Sequence, residues 1–237
     1  MKLDVLAFGA HPDDVELSCS GTLYKLKKQG KKVGIVDLTQ GEMGTRGTAQ
    51  TREVEAKEAS LVLGLNAREN LDIGDGWFEN NKENKLKIIT AIRKYRPGII
   101  LANAIDDRHP DHGKAAQLVR ECVFLAGLRK IETTVNGITQ EPWKTEHLFH
   151  YIQFFHIKPD FVIDISNEYE VKKKSIIAYK TQFFDPNSTE PKTLISSEKF
   201  LNYIEARARE FGAAIEVEYG EGFTTIRPLT YDLINLL

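Results

Sequence analysis

The sequence predicts an α/β protein whose mostly parallel sheet is covered by helices on both faces. Short apolar runs rich in β-branched residues alternate with longer segments in which apolar residues recur every three to four positions. Alternation of this kind is typical of a parallel sheet, whose strands are buried on both faces and read as continuous apolar runs. Two of these runs end in clusters of histidine and aspartate, which predicts a site at one edge of the sheet.

The elements follow from these patterns. The predicted strands span residues 3–8, 32–38, 98–102, 147–153 and 161–165. Helical periodicity lies between them, at roughly 20–29, 52–63, 84–95 and 112–125. Beyond Val171 we expect a helix at 171–181, a turn-rich stretch at 185–192, a helix at 198–211 and a strand at 214–219. We interpret this last part as a C-terminal elaboration of a single domain over 1–237, which helps to form one wall of the site.

The composition is that of an ordinary globular protein. Of 237 residues, 41% are hydrophobic and 28% are charged, and the formal net charge is −2. This balance gives no electrostatic reason to expect nucleic acid or an anionic membrane as a partner. No apolar stretch approaches the roughly 18 residues that a membrane-spanning helix needs, and no targeting segment is recognisable. Two cysteines without a pairing pattern indicate a reducing compartment, so we expect the cytoplasm.

Two histidine–aspartate clusters point to a catalytic metal. Residues 10–16 read Ala-His-Pro-Asp-Asp-Val-Glu after the first strand, and residues 109–112 read His-Pro-Asp-His after a later one. Nitrogen ligands from His11 and His112 with an oxygen from Asp14 form a set typical of catalytic zinc. Each cluster alone would also fit a helix-capping aspartate and a structural histidine. A dinucleotide cofactor is not expected, because no Gly-x-Gly-x-x-Gly follows the first strand.

The remaining residues of the clusters suggest how such a metal would be used. Asp13 is not needed as a ligand and is placed to act as the general base towards a metal-activated water. His109 would stabilise the oxyanion or protonate the leaving group. Asp111 and Asp106 are candidates to orient the ligand histidines. Glu16 either binds the ring nitrogen of a ligand histidine or lies in the first turn of a helix.

An arginine near the start of the second predicted helix is a candidate substrate ligand. Arg52 could hold a substrate carboxylate or phosphate through two hydrogen bonds. The residues alone favour a simpler interpretation, a surface arginine paired with Glu53 or Glu55.

The two clusters resemble those of the PIG-L/LmbE-like family of zinc-dependent N-acetylglucosamine deacetylases. Further stretches resemble the branch of this family that acts in bacillithiol biosynthesis, and together the similar segments cover nearly the whole chain. They are Thr-Gln-Gly-Glu-Met-Gly-Thr-Arg-Gly at 39–47, Thr-Arg-Glu-Val-Glu-Ala at 51–56, Ala-Tyr-Lys-Thr-Gln-Phe at 178–183, Glu-Ala-Arg-Ala-Arg at 205–209 and Tyr-Gly-Glu-Gly-Phe at 219–223.

The resemblance implies a Rossmann-like α/β fold with one Zn²⁺ per chain, although other divalent transition metals suit the same ligands. It implies zinc ligation by His11, Asp14 and His112 and general-base catalysis by Asp13. It also implies that His109 is the electrostatic partner of the tetrahedral intermediate. Arg52 would then face the acidic aglycone of a small glycoside. That substrate is N-acetylglucosaminyl-malate, which yields glucosaminyl-malate and acetate, and the family implies a homo-oligomer, either trimer or hexamer.

Three alternatives stay open. The chain could deacetylate another glycoconjugate that contains N-acetylglucosamine, because the two motifs do not determine the aglycone. A metal-dependent phosphoesterase would be expected to show a second carboxylate-rich metal site or a phosphate-binding loop, and neither is evident. A non-catalytic, metal-dependent sugar-binding protein would have no clear need of Asp13.

Overall fold

The computed structural model describes residues 1–229 as a central sheet flanked by helices. The strands are β1 (Val5–Gly9), β2 (Val33–Asp37), β3 (Ala67–Asn70), β4 (Ile99–Ala102), β5 (Thr134–Val135), β6 (Ile138–Thr139), β7 (His147–Tyr151), β8 (Phe161–Asp164) and β9 (Gly220–Thr225). The helices are α1 (Asp14–Lys28), α2 (Ala49–Leu63), α3 (Lys82–Tyr95), α4 (Pro110–Leu125), α5 (Tyr169–Ile177) and α6 (Glu198–Ala213). None of the helices in this described part is long and apolar enough to span a membrane.

The sheet is mostly parallel, as the sequence predicts. Its strand order is β3-β2-β1-β4-β7-β9-β8, and β5 and β6 form a separate two-stranded ribbon. The strands β3, β2, β1, β4 and β7 pair in parallel, whereas β9 runs antiparallel between β7 and β8. The chain proceeds from β1 to β2 and β3 on one side and then crosses to β4 on the other. The strand order therefore reverses between β1 and β4, where ligands bind in open α/β sheets.

The central strand β1 is apolar throughout because both of its faces are buried. Leu6 and Phe8 belong to the apolar core that includes residues of α3 and α4. Val5 and Ala7 belong to a second core, which includes residues of α1. Successive side chains of a strand point to opposite faces, so an uninterrupted apolar run is what a sheet between two helical layers requires.

Helix α1 consists of two helical segments that meet at a kink. Cys19, at φ −140° and ψ 17°, is outside helical geometry. A break leaves backbone N–H groups without partners inside the helix, and these need other acceptors. Here Gly21 N and Thr22 N donate to the carboxylate of Glu221, on β9, at 3.0 and 2.7 Å. The same carboxylate accepts a 2.6 Å bond from the buried ammonium of Lys172, on α5.

Several element boundaries differ from those predicted. The first helix begins at Asp14 rather than residue 20, and the helix expected at 171–181 spans Tyr169–Ile177. The strand expected at 214–219 is wrong, because those residues follow the end of α6 and β9 begins at Gly220. Strand β3 was not predicted at all, since its sequence Ala-Arg-Glu-Asn has no apolar run and lies at the edge of the sheet.

Candidate active site

The two predicted clusters meet at the carboxyl edge of the sheet. The loop after β1 carries His11, and the segment from β4 into α4 carries His109 and His112. The ring centroid of His11 lies 4.7 Å from that of His109 and 5.5 Å from that of His112. The rings of His109 and His112 are 5.2 Å apart. Residues about 100 positions apart in the sequence thus form one compact group, because parallel strands end at the same edge.

Asp14 lies between the two histidines that the sequence predicts as ligands. Its Oδ2 is 3.5 Å from Nδ1 of His11, and its Oδ1 is 3.1 Å from Nε2 of His112. The other ring nitrogen of each histidine contacts a carboxylate: Nε2 of His11 lies 2.9 Å from Asp75, and Nδ1 of His112 lies 2.8 Å from Asp107. Ionised carboxylates only accept, so Asp75 and Asp107 hold hydrogens on these nitrogens, and the nitrogens facing Asp14 are the ones that a metal would bind in place of a proton.

The carboxylate of Asp14 is itself held by three hydrogen bonds from other groups of the protein. Its Oδ2 accepts from the backbone N–H of His11 at 2.9 Å and from Asn103 Nδ2 at 3.0 Å, while Gln153 Nε2 donates to Oδ1 at 2.6 Å. Burial alone would raise the pKa of Asp14. The neighbouring His112 and His11 outweigh burial and hold that pKa well below its usual range. Asp14 is therefore an anion with a fixed orientation, as a metal ligand should be.

The donor set and its charge fit a divalent transition metal. Five buried carboxylates surround the histidines: Asp13, Asp14, Asp75, Asp107 and Asp111. Among the described residues, Arg52 and Lys114 are the only lysine or arginine side chains within ion-pair distance of them. The surrounding carboxylates raise the pKa of His112 to about 9, although burial opposes this. A metal cation would offset the same excess of negative charge, and nitrogen with carboxylate oxygen is the ligand chemistry of zinc.

Besides the predicted set, the ligand atoms of His11, Asp75 and Asp111 form one possible grouping in the described part of the chain, and those of three histidines form another. One ring nitrogen from each of His11, His109 and His112 lies within 4.8 Å of the others. The grouping of three histidines competes with the predicted one, since His109 takes the place of Asp14. Nδ1 of His109 accepts a 3.3 Å bond from the backbone N–H of Asp111, which leaves Nε2 as the hydrogen-bearing nitrogen of a neutral ring. Such a ring presents a donor rather than a metal-binding lone pair.

His109 is held at the start of α4. It is the N-cap residue of that helix, with Pro110 in the first turn, and its ring is half-buried. Burial, together with the charges of His11 and His112, lowers the pKa of His109. The neutral ring is therefore favoured near neutral pH.

Asp13 is buried next to this group but is not engaged in capping. It occupies the N-cap position of α1, yet its side chain makes no cap hydrogen bond. Its backbone adopts φ 115°, a left-handed conformation that costs energy for any residue with a Cβ. Burial raises the pKa of Asp13 to about 7, although the charge of Arg52 acts in the opposite direction. A strained, buried carboxylate with no capping role favours a chemical function.

Arg52 reaches the site from α2 and is buried rather than exposed. Its Nη1 donates to the backbone carbonyl of Pro12 at 2.7 Å and lies 3.4 Å from Asp13 Oδ2, and its Nη2 donates to Gln182 Oε1 at 2.6 Å. A Cβ at Gly41, where φ is +68°, would lie 3.0 Å from the Arg52 guanidinium. The simpler interpretation of a surface arginine paired with a neighbouring glutamate is therefore wrong. Both terminal nitrogens of the Arg52 guanidinium already donate hydrogen bonds to protein atoms.

The three residues predicted to orient the histidines have different surroundings. Asp111 lies beside His11, with Oδ2 at 3.5 Å from Nε2, and accepts from Gly76 N. Asp106 is exposed, and Asp107, the next residue, makes the bond to His112 instead. Among the described residues, the Glu16 carboxylate makes no hydrogen bond or ion pair with a histidine.

Glu16 lies in the first turn of α1, which was the second interpretation of this residue. Its Oε1 accepts from Arg68 Nη1 at 2.5 Å and from the Tyr179 hydroxyl at 3.1 Å. Its role is therefore to neutralise Arg68, whose side chain is only 10% exposed. The partners of Glu16 come from β3 and from the segment after α5, which no local pattern connects to residue 16.

Asp75, Asp107 and Gln153 are site residues that the sequence prediction missed. Asp75 sits in a Gly-Asp-Gly turn after β3, with both flanking glycines at positive φ. Once β3 is known, Asp75 belongs to the same carboxyl edge as His11. Gln153 follows β7 at that edge, but the predicted strand extended over it.

A cavity of about 310 Å³ opens over the cluster. One wall is formed by the C-terminal elaboration, as the sequence suggested. Its lining residues there are Gln182, Thr193, Leu194, Ile195, Phe200 and Ile204. Met43, Gly44 and Arg46 from the loop after β2 also line the cavity. The cluster is thus accessible to a small molecule from the cavity.

The chain is similar in sequence to known deacetylases. The family model described as PIG-L, GlcNAc-PI de-N-acetylase, matches residues 6–123, which include both clusters. Diacetylchitobiose deacetylase of Thermococcus kodakarensis is 33% identical over 190 residues, covering 76% of this chain and 70% of that protein.

Two solved structures extend the likeness over nearly the whole chain. The conserved protein TT1542 from Thermus thermophilus has a TM-score of 0.86 and 38% identity, covering 97% of both chains. N,N'-diacetylchitobiose deacetylase from Pyrococcus horikoshii has a TM-score of 0.79 and 27% identity, covering 98% of this chain and 88% of that one.

Fold, site and relatives together define an amide hydrolase of the carbohydrate N-deacetylase class. The chain belongs to the PIG-L family.

Proposed function

We propose that this protein is a metal-dependent deacetylase of N-acetylglucosaminyl-malate, acting in bacillithiol biosynthesis. Water and the acetamide would give glucosaminyl-malate and acetate. The observation that carries the deacetylase proposal is the position of Asp13. It is a buried carboxylate with a raised pKa, next to a candidate ligand pair yet free of any capping bond. The choice of the malate glycoside is supported by the sequence similarity to the bacillithiol branch and by the arginines that line the cavity.

The proposed metal ligands are His11, Asp14 and His112. A bound zinc or similar ion would supply Lewis-acid activation of the acetamide carbonyl and of the attacking water. Asp75 and Asp107 would keep the two imidazoles in the tautomer that the metal needs, through their 2.9 and 2.8 Å contacts. The fit of the donor set supports this assignment, and metal analysis would test it.

The chain's own groups would handle the protons. Asp13 accepts a proton from the attacking water and is suited to this at neutral pH by its pKa of about 7. Arg52, 3.4 Å from Asp13 Oδ2, restrains that carboxylate. His109, as a neutral ring with hydrogen on Nε2, donates to the oxygen on which charge develops. The proton held by Asp13 then passes to the departing amine.

The prediction that Arg52 binds the acidic aglycone stays a prediction. Its two terminal nitrogens are occupied, and Nε is the one buried nitrogen of its guanidinium without a hydrogen-bond partner among the described residues. We also retain as proposals the single deacetylase domain over 1–237 and the trimer or hexamer. The orienting role of Asp111 is likewise a proposal.

A second candidate substrate is diacetylchitobiose, on which two similar proteins act according to their names. The two candidates differ in charge, because the malate glycoside carries two carboxylates and the disaccharide carries none. A cavity with arginines on its wall favours the charged substrate.

Mass-spectrometric turnover of three compounds tests the proposal. The compounds are N-acetylglucosaminyl-malate, diacetylchitobiose and free N-acetylglucosamine, each with zinc-loaded and metal-free protein. We expect metal-dependent acetate release with the highest kcat/KM on the malate glycoside. Preference for the disaccharide would move the function to the second candidate. Zinc-loaded Asp13→Asn serves as the control, and undiminished turnover by this variant would contradict the assigned base.

A further inference from the structure

Arg46 is a buried arginine on the cavity wall, and its guanidinium has a donor nitrogen without a hydrogen-bond partner among the described residues. It lies in the loop between β2 and α2, and only 4% of the residue is exposed. Its Nη2 donates to Ser188 Oγ at 2.5 Å, while its buried Nε has no hydrogen-bond partner among the described residues. The nearest carboxylate oxygen that pairs with Arg46 Nε is Glu190 Oε2, at 3.7 Å. An unpaired buried guanidinium nitrogen costs free energy unless a ligand satisfies it.

A carboxylate of the protein itself already occupies this place. Glu190 Oε2 accepts a 3.0 Å hydrogen bond from the backbone N–H of Gly47. Gly47 directly precedes Thr48, the N-cap of the 15-residue helix α2, so the oxygen also lies near the positive end of that helix. Backbone N–H, guanidinium and helix N-terminus together form an anion-binding arrangement. The Glu190 side chain is 40% exposed, so displacement would return it to water.

This arrangement is connected to the catalytic base. Gln182 donates through Nε2 to the backbone carbonyl of Arg46 at 2.8 Å, and its Oε1 accepts from Arg52 Nη2 at 2.6 Å. Arg52 in turn contacts Asp13. A carboxylate bound at Arg46 would therefore have a defined position relative to Asp13. Arg52 itself is less suited to bind a ligand, because both of its terminal nitrogens already donate hydrogen bonds within the protein.

We propose that Arg46 and the Gly47 N–H bind a carboxylate of the substrate's aglycone, and that Glu190 fills this carboxylate site until the substrate displaces it. The identity of the aglycone rests on the proposed function; the anion site does not. The segment 185–192, which carries Ser188 and Glu190, is then an internal competitor that covers Arg46 in the free protein.

The test measures binding of two ligands to the metal-loaded protein by calorimetry. The ligands are glucosaminyl-malate and methyl glucosaminide, which differ in the carboxylates of the aglycone. For Arg46→Met we expect the ratio of the two dissociation constants to shift by ~10–100-fold against the malate glycoside, the usual effect of losing a charged hydrogen bond. Glu190→Gln should bind the malate glycoside several-fold more tightly, because its amide competes less well for the guanidinium.

Lys192→Met is the matched control. Lys192 is exposed on the same segment, outside the described cavity lining, and its loss removes one positive charge as Arg46→Met does. An equal effect of both charge removals would mean that Arg46 acts by long-range charge alone and would overturn the proposal. So would a wild-type protein that does not prefer the malate glycoside, or an Arg46→Met variant that weakens both ligands equally.

Binding and turnover together separate this inference from the proposed function. A shifted ratio in Arg46→Met with no deacetylation of the malate glycoside would leave the anion site standing and remove the proposed substrate. Rapid deacetylation of the malate glycoside with an unshifted ratio of dissociation constants in Arg46→Met would support the proposed substrate and overturn the anion site. If Arg46→Met does not fold, Glu190→Gln decides the matter, and unchanged affinity for the malate glycoside in that variant would overturn the proposal.

Discussion

Nδ1 of His112 donates a 2.8 Å hydrogen bond to Oδ2 of Asp107, a residue five positions earlier in the chain. The bond leaves Nε2 of the imidazole facing Asp14 at 3.1 Å. A carboxylate that fixes the tautomer and orientation of a ligand histidine also raises its basicity. The neighbouring Asp106, one of the two aspartates that the sequence suggests for such a role, is exposed.

Asp107→Asn should therefore weaken metal binding, by ~10–100-fold. The amide keeps the shape of the side chain but removes the charge that holds the imidazole. Titration of metal-free protein against a chromophoric chelator measures the affinity. Asp106→Asn is the matched control and should bind metal as the wild type does. Equal losses in the two variants would contradict the assignment of Asp107.

The predicted ligand set and the grouping of three histidines lead to different expected metal contents after substitution. We expect His109→Ala to retain one metal ion per chain and to lose turnover by ~10²–10³, the usual effect of removing one oxyanion donor. Asp14→Ala should lose the metal, because Asp14 lies between His11 and His112. Elemental analysis of the purified variants gives the answer. Loss of metal from His109→Ala with retention in Asp14→Ala would support the grouping of three histidines.

Substitution of Arg52 separates restraint of the base from contact with the aglycone. Because Arg52 contacts both Asp13 and the Pro12 carbonyl, Arg52→Lys should lower kcat by ~10² on charged and neutral substrates alike, with a smaller change in KM. Steady-state kinetics on the malate glycoside and on a neutral glycoside provide the comparison.

Lys57→Met, exposed on the same helix, should change neither constant. A rise in KM for the malate glycoside alone would instead return Arg52 to the aglycone-binding role that the sequence resemblance implies.

The buried pair of Glu221 and Lys172 should dominate local stability. Glu221→Ala would leave the ammonium of Lys172 buried without its partner and two N–H groups of α1 without acceptors. Removing one partner of a buried pair costs about 3–5 kcal/mol, whereas an exposed pair contributes about 0–1 kcal/mol.

Urea unfolding of metal-free protein measures this cost. Glu53→Ala breaks the exposed pair with Lys57 and is the control. Similar free energies of unfolding for the two variants would show that the pair on β9 and α5 is not important for stability.

The parts of the fold with a strong local pattern were predictable. β1 is apolar because both faces are buried, and α2 and α3 carry helical periodicity with clear ends, so their positions came within a few residues. β3 and β9 were not predictable in this way. The edge strand β3 has a polar sequence, and β9 gains its place only by pairing with β7 and β8.

The sequence by itself determined that histidines and aspartates follow β1 and β4, and parallel strands end at one edge, so the meeting of His11 with His112 could be expected. The tertiary structure decided which side chains complete the site. Whether Asp106 or Asp107 faces His112 depends on the path of an irregular loop. Asp75 follows β3, a strand that the sequence does not predict. Glu16 pairs with Arg68 rather than with a histidine. Such choices depend on distant segments that compete for the same charged groups, and no local pattern encodes them.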